Sequence, residues 1–415
     1  MQNVDLKLRT RFVVICDLHL VFEFHKHPRN KEKCAIRISQ ELAMMPFIDL
    51  ATQRERLKDK LDTTISKIIS EGRYVLGPEV GELEERLAAF GQVDHALTCA
   101  NGTDALSLPL LAWELQPGDA VFVPSFTFAA TAEVVALLGA TPVFVDIDPD
   151  TYCMCPKSLA KAIAWTKSQT ELKLRVVIAV DLFGQPADYP AISAICKAEG
   201  LKLIADSAQG FGCTLNGKHP AAWADISSIS FYPAKPLGCY GDGGAVVTRD
   251  PNLAGLIKSL RNHGEGEARY SYERIGLNSR LDTLQAGILL AKLDIFSEEI
   301  TARNTAAQAY AKGFGDVVKT PKVIDGGVSV WAQYTIEVDD RDTFRSKLNE
   351  AGVPTAIYYP VPIHLQDPYA GFPVAPGGLP VTETASPRVV SLPMDGYLEG
   401  ERQETVIRAV RAALT

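Results

Sequence analysis

Paired cysteines are the first thing missing. Eight cysteines lie scattered through 415 residues, none in a C-x-x-C pair. Cys153 and Cys155 are separated only by Met154, and no histidine follows at zinc-site spacing. The thiols are therefore read as reduced and mostly buried. No His/Asp/Glu cluster has ligand spacing either, so no metal is expected. No apolar run reaches transmembrane length, and neither internal repeats nor low-complexity stretches occur. Positive charge is also in deficit: 42 Lys and Arg stand against 50 Asp and Glu, for a net charge of −8. That balance argues against nucleic acid or an anionic membrane as a main partner and fits a cytoplasmic enzyme. What is present is an ordinary globular composition, with 47% hydrophobic and 22% charged residues. The length suffices for two domains with real cores.

The first forty-odd residues do not match the rest. FVVICDLHLVF carries Asp17 and His19 in its middle, which the core of a signal peptide would not. A second start is available at Met44 or Met45, and residues 1–44 are read as an N-terminal extension. Beyond them the spacing predicts a helix over 54–70 and a second one opened by Pro78, with acidic residues at its start. Short runs rich in Val, Ile and Phe then alternate with helical stretches. Strands are expected over 96–99, 120–124, 142–146, 176–180, 201–205 and 226–231. Helices are expected over 105–111, 130–138, 156–165 and 189–199. This is the pattern of a mainly parallel sheet with helices on both faces. A long helix is expected from 281 through 296 towards 314. A smaller α+β unit follows, with strands at 333–338 and 389–392 and helices at 342–351 and 399–414. The expected division is a large α/β domain over 45–314 and a small C-terminal one over 315–415.

Function in such sheets gathers at the carboxyl ends of strands. Four features fall there. Lys235 sits between Pro233 and Pro236, with Gly238, Gly241, Gly243 and Gly244 after it. Proline forbids a helix through the lysine, and the glycines let backbone pass close to a ligand. A loop lysine is ordinarily a solvated charge; here it is a candidate for a Schiff base. Asp206 follows the run LKLIA and suits a pyridine nitrogen that must stay protonated, although a carboxylate there also serves as a cap. Gly102 and Thr103 follow a strand and open a helix, which makes an anion site, although Thr103 alone also fits a cap. Phe128 lies on the strand-end loop PSFTF, where it would stack on a planar ring or simply join the core. Ser230 precedes Lys235 and offers a further phosphate contact. Together they are the parts expected for pyridoxal 5′-phosphate (PLP).

The motifs NGTDAL, PSFTFAATAE, ADSAQ, SFYPAKPLGCYGDGGAV and GLNSRLDTLQAGIL resemble, in order and spacing, the DegT/StrS family of sugar aminotransferases. The resemblance runs from residue 45 to the C-terminus and implies a fold-type-I PLP-dependent transferase. It implies that Lys235 carries the cofactor, Asp206 pairs with the ring nitrogen, Gln209 approaches the ring hydroxyl and Phe128 covers the ring face. Gly102, Thr103 and Ser230 would take the phosphate. Asn278 would reach it from the partner subunit, so the active unit would be a homodimer with shared sites. Arg280 would receive a substrate carboxylate, for which a planar guanidinium is suited. Tyr358, Tyr359 and His364 would lie near the sugar, although some relatives carry His where Tyr358 stands, and His364 by itself reads as structural.

The stretches KPLGCYGDGGA, NSRLDTLQAGILL, WAQYTI, GVPTAIYYPVPIHLQ and VVSLPM are most similar to members that aminate UDP-2-acetamido-2-deoxy-3-oxo-glucuronate. The implied reaction converts a 3-keto UDP-sugar to the 3-amino sugar with L-glutamate as donor, for cell-surface polysaccharide such as O-antigen. The alternatives are a dTDP-3-keto-6-deoxyhexose as substrate, or a non-catalytic sensor built on a PLP fold. Related sugar dehydratases carry histidine in place of the lysine, and Lys235 argues against that activity.

Overall fold

The computed structural model describes residues 45–414 apart from 269; the extension expected over 1–44 lies outside them. Among the described residues the strands in chain order are β1 (His95–Cys99), β2 (Asp119–Pro124), β3 (Thr141–Val145), β4 (Lys173–Val180), β5 (Lys202–Asp206), β6 (Thr214–Leu215), β7 (Ile226–Ser230), β8 (Gly244–Thr248), β9 (Gly327–Val328), β10 (Tyr334–Glu337) and β11 (Val389–Leu392). Seven form one sheet in the order β1-β8-β7-β5-β4-β2-β3. The pairings from β7 through β5, β4 and β2 to β3 are parallel. Strands of a parallel sheet are covered on both faces, which is why β2 reads DAVFVP without alternation and is buried throughout.

The two-residue strands β6 and β9 were not expected, and one strand of the main sheet was not legible. β8 begins in the glycine run after Lys235, which reads as loop, yet it pairs antiparallel with both β7 and β1. Gly244 makes this possible: a Cβ there would stand 2.3 Å from the Asn101 carbonyl oxygen. β8 thereby joins the strand ahead of Gly102 to the strand ahead of Lys235.

The crossover helices use ordinary signals. Tyr189–Glu199 starts on Asp188, whose carboxylate accepts from the Ala191 N–H at 3.2 Å, and stops at Gly200 with φ +68°. Two expected helices are each divided. The 54–70 stretch is Leu50–Arg56 and Lys58–Glu71. The long one is Thr283–Leu293 followed by Phe296–Phe314. At that break the Ile295 N–H turns back to the Lys292 carbonyl at 3.2 Å, a tightened turn that no proline or glycine announces.

Beyond residue 315, β10 and β11 pair antiparallel, and the helices Arg341–Glu350 and Gly400–Leu414 pack with them. Tyr310 and Phe314, at the end of the long helix, enter this core beside Tyr334, Leu348 and Val406. Ile363, Leu379 and Val389 instead join the core of the main sheet. No helix among the described residues is long and apolar enough to cross a membrane.

Candidate active site

Asp206 is the last residue of β5 and is buried. Its Oδ2 accepts from the Thr131 hydroxyl at 2.9 Å and its Oδ1 from the Ala208 N–H at 3.2 Å. Burial pushes its carboxyl up from the usual range, while these donors and the charge of Lys235 pull it back. Lys235 feels the converse: burial lowers its ammonium, and Asp206 opposes the shift. The strand end and the lysine loop thus bring the two groups within electrostatic reach of each other.

The loop around Lys235 is held from several sides. Its own N–H donates to the Tyr232 carbonyl at 2.8 Å, and the Cys239 N–H donates to the Phe231 carbonyl at 2.8 Å. Gly238 is packed against backbone, so that a Cβ would stand 2.5 Å from the Pro233 carbonyl oxygen. From the helix Thr283–Leu293, buried Lys292 donates to the Gly238 carbonyl at 2.6 Å, and Gln285 accepts from the Tyr240 N–H at 2.9 Å. Burial brings Lys292 down to about 8.

Gly102 opens the helix Gly102–Ala112. The cap is Asn101, whose Oδ1 accepts from the Asp104 N–H at 2.8 Å, so the capping reading of Thr103 is corrected. The helical ladder starts with the Ala105 N–H on the Asn101 carbonyl, which leaves the N–H groups of Gly102 and Thr103 at the open end. A Cβ on Gly102 would lie 2.6 Å from the Ser230 Cβ. The start of this helix and the end of β7, far apart in sequence, thus approach each other closely.

Phe128 stands just before the helix Ala130–Leu137 and is 58% exposed, which sets aside its reading as a core aromatic. Its ring lies 6.4 Å from that of Tyr359. Gln209 is fixed at both ends: Oε1 accepts from the Phe183 N–H at 2.7 Å, and Nε2 donates to the Tyr359 hydroxyl at 2.9 Å. Burial raises the Tyr359 phenol, and Asp206 adds to the effect. Tyr358 is raised by burial and faces Tyr232. His364 is buried, with Nδ1 2.7 Å from the Ser125 hydroxyl and Nε2 3.3 Å from Glu383. Both ring nitrogens are thus engaged within the fold, and the histidine ties the Tyr358–Tyr359 loop to the end of β2.

The NSR segment is tied to the strand end ahead of Gly102. Ser279 is buried, and its hydroxyl accepts from the Ala100 N–H at 3.1 Å rather than capping a helix, which begins only at Thr283. Asn278 is exposed. Arg280 donates to the Asn262 side chain at 2.6 Å, and no described carboxylate pairs with it.

Two supports carried no sequence signal. Thr131 is one hydroxyl among many in AATAE. Asp181, at the end of β4, accepts from the Ser207 hydroxyl at 2.6 Å and the Tyr189 hydroxyl at 2.7 Å. Its N–H donates to the Asp206 carbonyl at 3.0 Å, and burial pushes its carboxyl up to about 7. Both brace the Asp206 turn from behind.

These residues fit PLP. A buried carboxylate is costly unless a cationic donor meets it, and a protonated ring nitrogen is such a donor. The lysine, the open N–H groups, the hydroxyl of Ser230 and an exposed aromatic ring complete a cradle for an aromatic aldehyde phosphate.

The sequence profile of the DegT/DnrJ/EryC1/StrS aminotransferase family matches residues 55–411. The chain is 46% identical over 373 residues to UDP-2-acetamido-2-deoxy-3-oxo-D-glucuronate aminotransferase of Pseudomonas aeruginosa, covering 90% of this chain and 100% of that protein. It is 38% identical to dTDP-3-amino-3,4,6-trideoxy-alpha-D-glucose transaminase of Streptomyces venezuelae, covering 89% and 96%. Among solved structures, a DegT/DnrJ/EryC1/StrS aminotransferase from Brucella abortus superposes with a TM-score of 0.88 at 50% identity, covering 89% of this chain and 99% of that one. NtdA of Bacillus subtilis, solved with PMP bound as cofactor, superposes with a TM-score of 0.79 at 29% identity, covering 89% and 84%.

Proposed function

The chain belongs to the DegT/DnrJ/EryC1/StrS aminotransferase family, whose cofactor is PLP, and on that premise we propose that it aminates a 3-keto UDP-sugar carrying a C6 carboxylate, UDP-2-acetamido-2-deoxy-3-oxo-glucuronate, with L-glutamate as donor. The observation that carries the chemistry is the mutual influence of Lys235 and Asp206 at the strand ends.

When bound, the cofactor supplies a conjugated cationic ring that takes up the electron pair released as a proton leaves the donor's Cα. Asp206 would hold the proton on the ring nitrogen, its carboxylate oriented by Thr131 and the Ala208 N–H. Lys235 would hold the cofactor through its Nζ and yield that place to the donor amine. Its Nζ would take the proton from the donor's Cα and return it to the cofactor's aldehyde-derived carbon, which lies across the nitrogen from Cα, and the lowered basicity caused by burial suits it to accept and donate near neutrality. Phe128 covers the ring face and excludes water. Gln209, locked by Phe183 and Tyr359, stands on the hydroxyl side. The Gly102 and Thr103 N–H groups and Ser230 take the phosphate. Arg280 binds the carboxylates of donor and sugar in alternate halves of the reaction, and Tyr358 and Tyr359 border the sugar. Since one site serves both substrates in turn, ping-pong kinetics follow.

A second copy of the chain is proposed to complete each site. Tyr74, Val75, Leu76, Tyr240 and Tyr272 are all exposed, and they flank the segment bearing Asn278: Val75 bridges to Asp282 and Tyr240 is tied to Gln285. The test is a visible absorption spectrum before and after L-glutamate. A violet-region band that collapses with glutamate, is restored by the 3-keto uronate faster than by a neutral 6-deoxy 3-keto sugar, and is absent in Lys235→Ala supports the reading. No band after incubation with PLP would overturn it; equal restoration by both sugars would overturn the uronate assignment.

A further inference from the structure

Among the described residues Arg280 has one polar partner, and that partner is itself held in a single orientation. Asn262 accepts from Arg280 Nη1 through Oδ1 at 2.6 Å and donates from Nδ2 to Glu265 Oε2 at 2.5 Å. An amide has one acceptor end and one donor end. The Glu265 carboxylate only accepts, so it fixes the amide with its oxygen towards the guanidinium. Glu265 is anchored in turn: its N–H donates to the Asn262 carbonyl at 3.1 Å, its Oε1 accepts from the Tyr270 N–H at 3.3 Å, and its carbonyl accepts from the Ser259 hydroxyl at 2.7 Å. The backbone beneath is equally set. Asn262 and Asn278 form an antiparallel bridge, the His263 N–H donates to the Leu277 carbonyl at 2.8 Å, and the Ser279 N–H donates to the Arg261 carbonyl at 2.8 Å.

The consequence is a guanidinium held by a neutral acceptor. A carboxylate in the place of Asn262 would form an ion pair with Arg280 and compete with any incoming anion. The neutral oxygen instead takes one N–H and leaves the rest of the planar fork, with its full positive charge, for a bidentate ligand. Glu265 stands one residue further back and supplies orientation without touching the guanidinium. We propose that Asn262 and Glu265 are positioning residues that hold Arg280 open for the carboxylates of L-glutamate and the keto sugar, which rests on the reading of Arg280 as their receptor.

The test uses the full-length holoenzyme and single-turnover collapse of the violet band with L-glutamate, which separates half-saturation from the limiting rate. Arg280→Ala is measured beside Asn262→Ala, Asn262→Asp and Glu265→Gln, with thermal melting of each. Asn262→Asp is expected to raise the half-saturating glutamate concentration by about tenfold, the worth of one charge-assisted pair, and to raise it more than Asn262→Ala does. Glu265→Gln, which allows the Asn262 amide to turn over, is expected to fall between wild type and Asn262→Ala. In all three the limiting rate should change far less than the half-saturation, a split that general loosening of the fold would not produce. If Arg280→Ala leaves half-saturation unchanged, its receptor role is wrong and the inference falls with it. If Arg280→Ala weakens binding while folded Asn262→Asp and Asn262→Ala bind glutamate as wild type does, the receptor role stands and the positioning role is overturned.

Discussion

Replacing Thr131 by valine removes one hydrogen-bond donor from Asp206 at almost constant shape. The hydroxyl lies 2.9 Å from Oδ2, both groups are buried, and the other donor to that carboxylate is the Ala208 N–H. Hydrogen bonds to charged groups contribute about 1.5–3 kcal/mol. In the proposed mechanism it is the carboxylate form of Asp206 that pairs with a protonated ring nitrogen. Thr131→Val should therefore weaken PLP binding by about ten- to hundred-fold, since about 1.4 kcal/mol is a factor of ten. The direction with pH follows. Asp206 is already raised by burial, and losing the donor raises it further, so the acid limb of the binding curve moves to higher pH. The defect should then be largest at the acid end and shrink as pH rises. The assay is titration of cofactor-free protein with PLP, followed by the violet band at several pH values. Thr131→Ser, which keeps the hydroxyl, should bind nearly as wild type. If Thr131→Val binds PLP with unchanged affinity at every pH, the hydroxyl does not tune Asp206 and its role is only in packing.

Gly102→Ala forces a Cβ to 2.6 Å from the Ser230 Cβ, so the cofactor-free melting temperature and phosphate-dependent PLP affinity should both drop; Gly102→Ala with Ser230→Gly should recover the melting temperature but not the affinity. His219 is buried with Nε2 unpartnered, and burial holds its imidazole down to about 3. Below its ordinary value of about 6.5 the unfolded chain takes up a proton that the folded chain refuses, so this residue costs about 1.4 kcal/mol of stability per pH unit as pH falls from there towards 3. His219→Asn, which keeps an acceptor for the Ala221 N–H, should flatten the denaturant-midpoint profile below that pH; a slope equal to wild type would refute this. Mixing inactive Lys235→Ala with inactive Arg280→Ala and allowing subunits to exchange should restore activity in hybrids if sites are shared. Continued inactivity after demonstrated exchange would place both residues in one chain's site.

Residues proposed to do covalent or ionic chemistry were legible because few side chains can do it and their neighbours are constrained. Lys235 stood out between prolines and glycines, and Asp206 at the end of an apolar run. Gly102 was legible for its place before a helix, although the close contact with Ser230 was not. What failed were features set by tertiary partners. β8 hid in a glycine run because the glycines read as turn signals, whereas Gly244 is needed for backbone approach to Asn101. The break at Ile295 lacks any local breaker and reflects how the two helices pack separately. Asn262, Thr131 and Asp181 act through contacts made only once the chain has folded, and nothing in their neighbourhoods marks them.

The place of β8 also has a consequence for how the chain is made. β1 has one sheet neighbour, and that neighbour is β8, which is synthesised only after β2, β3, β4, β5 and β7. A nascent chain that has completed the five parallel strands still has β1, the strand ahead of Gly102, unpaired. The sheet edge next to Gly102 can therefore close only after the glycine run has been synthesised, and the segment that separates Lys235 from β8 is the piece that closes it. Truncated chains ending before Gly244 should bind no PLP, however complete their parallel sheet.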